Sequence, residues 1–178
     1  LMYTYDKYFT EYGHTVAQIL LTGEDMENDA RRRNFENTLT RLIELHTVPV
    51  VNENDTVATA EIAFGDNDTL SAMVACSVKA DLLILLTDID GLYTANPHED
   101  GNARRIPLVE QITPEIEALG GKSGSRLGTG GMITKLRAGK IVTEAGINMV
   151  IANGSDPAIL YEIMEGKSVG TLFKGKKS

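Results

Sequence analysis

A chain of 178 residues that is 42% hydrophobic and 24% charged is long enough for one sizeable core and has an ordinary globular balance. Its formal net charge of -8 argues against a nucleic-acid partner, which needs clustered lysine and arginine. A single cysteine, Cys76, excludes an intrachain disulfide and suits a reducing, cytoplasmic setting, and the longest apolar run, "LLILL", is far too short to cross a bilayer.

In chain order, "LMYTYDKYFTEYG" places Met2, Tyr5, Phe9 and Tyr12 on one helical face closed by Gly13, with no capping residue ahead of it. "TVAQILLT" (15–22) reads as a buried strand. The run Arg31–Arg33 reads as a solvated helix start, and Phe35, Leu39, Leu42 and Ile43 carry a helix over 34–46. "VPVVN" (48–52) is a short β-branched strand, followed at 57–68 by an extended segment and a turn. Leu70, Met73, Val74, Ser77 and Val78 line a helix over 69–80, in which Cys76 is a packing residue. "DLLILLTD" (81–88) is apolar throughout and predicts a strand covered on both faces. A helix beginning near Gly131 sets Ala138, Ile141, Val142 and Ala145 on one face. "GINMVIANG" (146–154) is a strand ending in a turn, and Lys174–Lys177 reads as a frayed terminus. Strands alternating with helices imply crossover units and an α/β fold with a mainly parallel sheet.

Ligands in such sheets gather at the carboxyl ends of the strands. After the strand at 48–52, Glu53, Asp55, Glu61, Asp66 and Asp68 lie among Asn52, Asn54 and Asn67. This density of acids and amides suits an ammonium ligand or the orientation of cations; the other reading is a solvated turn in which Asp66 or Asn67 caps the next helix. After "LLILL" come Thr87, Asp88 and Asp90, with Gly91 allowing a tight turn. Further on, "SRLGTGGMITKLRAGK" brings Gly124, Gly128, Gly130 and Gly131 ahead of Lys135. A bare main chain at a helix start makes an anion nest, and Lys135 would add a fixed cation for a transferring phosphoryl group. Thr134 holds the place where a Walker loop has glycine, so this is not that motif. A glycine-rich surface loop without a ligand is the alternative.

Three stretches together, "VPVVNENDTVATAEIAFGDND", "LLILLTDIDGLYTANP" and "GTGGMITKLRAGKI", resemble the glutamate 5-kinases of the amino acid kinase superfamily. "VAQILLT", "NTLTRLIEL" and "GKSVGTLF" extend the match in order over nearly the whole chain. The resemblance implies a three-layer αβα sandwich with a mainly parallel central sheet. It also implies ATP-dependent phosphorylation of the side-chain carboxylate of L-glutamate to γ-glutamyl phosphate, the first step of proline biosynthesis, with Mg²⁺ accompanying the nucleotide. Proline is then the expected feedback inhibitor and a homo-oligomer, dimer or tetramer, the expected assembly.

By position, Asp55 and Asn67 match glutamate-binding residues, joined in the same loop by Asn52 and Asp66. Thr87 and Asp88 match nucleotide contacts, and Thr129, Gly130, Gly131, Met132, Ile133, Thr134 and Lys135 match the nucleotide loop. Lys135 and Asp68 match catalytic residues, the aspartate by holding phosphate-binding lysines in place.

The family opens with a strand, a lysine, a glycine-rich turn and a second strand ending in a Ser/Gly motif, and this sequence contains none of them. The expectation is therefore one amino acid kinase domain over 1–178, incomplete at its N-terminus, without the RNA-binding-like C-terminal domain of some members, and inactive as it stands. The competing readings are a related kinase acting on another small carboxylate or phosphate acceptor, and a non-catalytic module that holds nucleotide or an amino acid.

Overall fold

The computed structural model describes residues 1–58, 66–97, 99–122 and 131–176 and divides the chain into two units, residues 1–70 and 71–178. The first unit opens with α1 (Met2–Glu11), which ends where Gly13 turns to a φ of +76°. No residue of α1 is buried: on its aromatic face Met2 and Phe9 are half-buried, while Tyr5 and Tyr12 are exposed. Strands β1 (Thr15–Leu21) and β2 (Thr47–Glu53) pair in parallel from Thr15↔Thr47 to Leu21↔Glu53. The expected burial of β1 is not met: only Leu21 is buried, because little else of the described chain packs on the faces of this two-stranded sheet.

Between these strands run α2 (Gly23–Glu27) and α3 (Asp29–Glu44). The Asp25 carboxylate accepts from the Thr22 N–H and hydroxyl at 2.7 and 2.8 Å, which fixes the start of α2. Asn28 caps α3 by accepting from the N–H groups of Ala30 and Arg31. The helix therefore starts before Phe35, and the basic run lies within its first turns. Arg31 pairs with Glu24 and Asp25, and Arg32 with Asp29. Phe35 and Leu39 face inward as expected, whereas Ile43 is exposed.

The boundary between the units falls inside α4 (Asn67–Ser77), after Leu70. The second unit holds β3 (Leu82–Thr87), β4 (Leu108–Val109), α5 (Pro114–Lys122), α6 (Met132–Glu144), β5 (Asn148–Asn153), α7 (Ile159–Met164) and β6 (Thr171–Phe173). Its sheet runs β3-β5-β6-β4, with β3–β5 and β4–β6 parallel and β5–β6 antiparallel. Alternation along β5 builds the layers. Met149 and Ile151 join a core with Ala72 and Ala75 of α4 and Leu136, Ala138 and Val142 of α6. Val150 and Ala152 point the other way, against Ile163 of α7. This unit is α/β with helices on both faces of a mainly parallel sheet, as expected.

The most apolar strand, β3, is not the most buried one. Among the described residues it lies at the margin of the sheet, with Leu85 its only buried residue, while β5 occupies an inner position. α6 passes close to β5 at Gly139, where an added Cβ would lie 2.7 Å from Met149 Cε, at the end of a flexible side chain. The end of the described chain is tied rather than frayed. The Lys174 N–H donates to the Val109 carbonyl, its ammonium pairs with Glu110 at 2.8 Å, and the Lys176 N–H donates to the Thr143 carbonyl.

Cys76 packs against the core as a half-buried side chain, and burial pushes its thiol above the ordinary thiol range. Less thiolate is present at neutral pH, and thiolate is the nucleophile. Alkylation by iodoacetamide at pH 7.5 is therefore expected to be at least about tenfold slower in the folded protein than in urea. Equal rates in the two conditions would remove Cys76 from the core.

Candidate functional site

The candidate residues of the first unit gather in two places. At the end of β2, the Asn54 N–H donates to the Leu21 carbonyl at 2.7 Å, laying the turn across the end of β1. The Asn54 carbonyl then accepts from the N–H groups of Val57 and Ala58, closing a tight turn. Asn52 and Asp55 are both exposed at this strand end. At the start of α4, Asp66 accepts from the Thr69 N–H at 2.6 Å and from its hydroxyl at 3.0 Å. Asp66 is thus a helix cap. Asn67 is exposed and Asp68 half-buried in the first turn behind it. Glu61 lies outside the described residues.

The cap carries an expected result. Asp66→Ala should cost about 1 kcal/mol of stability, and Asp66→Ser should restore most of it, because a serine oxygen can take the same N–H. A urea midpoint for the alanine variant equal to that of the unmodified protein would contradict the cap.

In the second unit, parallel pairing of β3 with β5 brings two strand exits side by side, Thr87 opposite Asn153. The Gly154 N–H donates to the Thr87 carbonyl at 2.8 Å, and the Asn153 side-chain amide donates to the Asp88 carbonyl at 3.2 Å. The Thr87 hydroxyl donates to the Asp88 carboxylate at 3.0 Å, and Asp88 itself is exposed. Next in the loop, Asp90 accepts from the Tyr93 hydroxyl at 2.9 Å, and that bond, with burial and the nearby negative charge, raises the phenol above its usual range.

Beside these exits lies a cavity of about 310 Å³ lined by Asn153, Ser155, Asp156, Ala158, Ile159 and Glu162. It joins apolar and acidic side chains in a volume at the lower end of small-molecule sites. Sequence reading passed over these residues, although "NGSDP" directly after a strand is the signal that the strand-exit rule looks for.

Thr129 and Gly130 of the glycine loop lie outside the described residues, as do Gly124 and Gly128. The two helices that flank the loop are packed together. An added Cβ on Gly120 of α5 would stand 2.9 Å from Leu136 Cδ1 and 3.2 Å from Ile133 Cα, and Lys140 pairs with Glu117 at 2.6 Å. Gly131 enters α6 in an extended conformation, and its carbonyl accepts from the Thr134 N–H and hydroxyl at 3.1 and 2.7 Å. Met132, Thr134 and Lys135 turn inward, whereas Ile133 is 53% exposed. Lys135 is only 7% exposed. Buried cations are rare and expensive, which marks the position as more than a solubilising charge.

The model of the amino acid kinase family matches residues 1–153. Among curated relatives, glutamate 5-kinase of Clostridium tetani is 51% identical over 177 residues, 99% of this chain and 66% of its own length. Glutamate 5-kinase of Carboxydothermus hydrogenoformans is 56% identical over 177 residues, again 99% of this chain but 47% of its own length. The chain thus spans between about half and two thirds of these relatives. Among solved structures, UMP kinase from Bacillus anthracis superposes with a TM-score of 0.62 at 12% identity, covering 94% of this chain and 61% of its own.

Proposed function

The chain belongs to the amino acid kinase family, and from that premise we propose that the full-length protein transfers the γ-phosphoryl group of ATP to the side-chain carboxylate of L-glutamate. The products are γ-glutamyl phosphate and ADP, at the entry to proline synthesis in the cytoplasm. One observation carries this reading: about half the residues agree, along almost the entire chain, with relatives named glutamate 5-kinase. Both units are taken as parts of one amino acid kinase domain.

The chemistry asks little covalent help of the protein. A glutamate carboxylate is already ionised at neutral pH, so no base has to remove a proton. Its oxygen forms a bond to the γ-phosphorus as the bond to the ADP oxygen breaks. The obstacle is the meeting of two anions, which calls for positioning and a preorganised positive field. Lys135 would supply a fixed cation, and Thr129, Gly130 and Gly131 would belong to the phosphate-binding loop, with Met132, Ile133 and Thr134 forming the first turn of the helix that follows. Thr87 and Asp88 would contact the nucleotide. The cavity from Asn153 to Glu162 would take the nucleoside, with carboxylates available to ribose hydroxyls.

Mg²⁺ would arrive on the nucleotide, bound mainly by phosphate oxygens and water, and would neutralise phosphate charge. Asp55 and Asn67 would hold the ammonium and α-carboxylate of glutamate, with Asn52 on the same strand exit. Asp66 would serve by fixing the start of α4, and Asp68 by orienting the phosphate-binding lysines. Proline shares the α-carboxylate and a cationic nitrogen with glutamate and is assigned as an inhibitor at that end of the site. A homo-oligomer is assigned as the assembled form.

The test is the full-length protein with ATP, Mg²⁺ and glutamate in hydroxylamine, which converts an acyl phosphate into a stable hydroxamate. Glutamyl hydroxamate formed in step with ADP supports the reading. ADP release with aspartate or UMP but not glutamate would assign another acceptor. Nucleotide binding without turnover on any acceptor would make the protein a binding module.

A further inference from the structure

Thr171 opens β6 and is fully buried. A hydroxyl without access to water has to find its partners inside the protein. It finds them in two other segments: Thr171 accepts from the Leu92 N–H at 2.8 Å and donates to the Ile106 carbonyl at 2.6 Å. These two residues form the neck of one excursion of the chain. The Ile106 N–H donates back to the Leu92 carbonyl at 2.8 Å, and the Thr94 N–H to the Arg104 carbonyl at 3.0 Å. Arg105 adds a bond from its guanidinium to the Gly170 carbonyl, immediately before Thr171. Gly91 has a φ of +145°, and an added Cβ there would stand 2.5 Å from Thr171 Oγ1. The loop runs so close to the hydroxyl that no side chain fits between them.

The stretch from Asp88 to Gly91 is therefore tethered at both ends, by β3 at Thr87 and by Thr171 at Leu92. Leu92 is itself in the core, so the second tether is rigid. We propose that the Thr171 hydroxyl is a positioning residue that sets Thr87 and Asp88 for the nucleotide, through a loop more than 70 residues away in sequence. The inference rests on the nucleotide role given to Thr87 and Asp88 above.

Two variants of the full-length protein test it. Thr171→Val keeps the shape and removes both hydrogen bonds; Thr171→Ser keeps the hydroxyl. The valine variant is expected to raise the KM for ATP at least about tenfold, with the KM for glutamate changed less than about threefold, and serine to restore the ATP value. An unchanged KM for ATP in the valine variant, or a serine variant as impaired as valine, overturns the proposal.

If the valine variant does not fold, hydrogen exchange of the unmodified protein gives the answer. ATP should slow exchange in Asp88–Gly91, with the Leu92 amide already among the slowest; no change in that loop overturns the proposal. Failure of the kinase reading looks different. A protein that makes no glutamyl hydroxamate yet shows ATP-dependent protection of Asp88–Gly91 retains this inference and loses the other. An active kinase whose ATP constant ignores Thr171→Val loses this inference alone.

Discussion

Replacing Lys135 by methionine in the full-length protein is expected to lower kcat by about a thousandfold, a loss of roughly 4 kcal/mol of transition-state stabilisation. The reason is the position of the ammonium. Lys135 stands in the first turns of α6, right after the glycine loop, and the residue is only 7% exposed. In a setting poor in water a cation acts on developing phosphate charge far more strongly than on the surface. Methionine keeps the apolar stem and removes only the charge. Turnover should therefore collapse at a temperature where the melt shows the variant still folded. Steady-state kinetics beside a thermal melt separates the two effects. Turnover close to normal would remove Lys135 from the mechanism, and a collapse of the melt would make it structural.

The second large effect belongs to Asp55. Asp55→Ala is expected to raise the KM for glutamate about a hundredfold and to leave the KM for ATP within about twofold. Asp55 is exposed, on a turn that is held among the described residues by the main chain of Asn54. Its loss should cost little stability. What it removes is a charged partner for the substrate ammonium, and a hydrogen bond between charged groups is worth about 1.5–3 kcal/mol. Measured in parallel, the two constants discriminate. An ATP defect as large as the glutamate defect would mean that the acidic turn serves the nucleotide.

Much of this was legible before any coordinates. Helix spacing found α3 and α4, and unbroken apolar runs found β3 and β5. The rule that ligands collect at strand exits picked out Asn52, Asp55, Thr87 and Asp88. Even the double reading of Asp66 was open in the sequence, since an aspartate three residues before Thr69 is also a cap signal. What escaped has a common cause. Strands of two or three residues such as β4 and β6 show no periodicity, so nothing announced Thr171. Its partners, Leu92 and Ile106, come from remote parts of the chain and follow from topology alone. The apolar run at 82–87 packs on both faces as expected, Leu83 and Leu85 against one cluster and Leu82 and Ile84 against the other, but its marginal place in the sheet, which pattern does not report, leaves most of it half-buried. The basic run at 31–33 is the solvated helix start that the sequence suggested; what only the turn of α2 into α3 supplies is the pairing of Arg31 and Arg32 with acidic neighbours.

That marginal strand has a practical outcome. Among the described residues β3 pairs along one side only, with β5, and Leu86 is 43% exposed. A strand that is apolar on both faces and offers free main-chain groups is a template for any other extended peptide. Residues 71–178 produced by themselves should self-associate through Leu82–Thr87 and come out of solution as concentration rises. A lysine in place of Leu86 should keep them dispersed longer, because charge on a marginal strand discourages edge-to-edge growth.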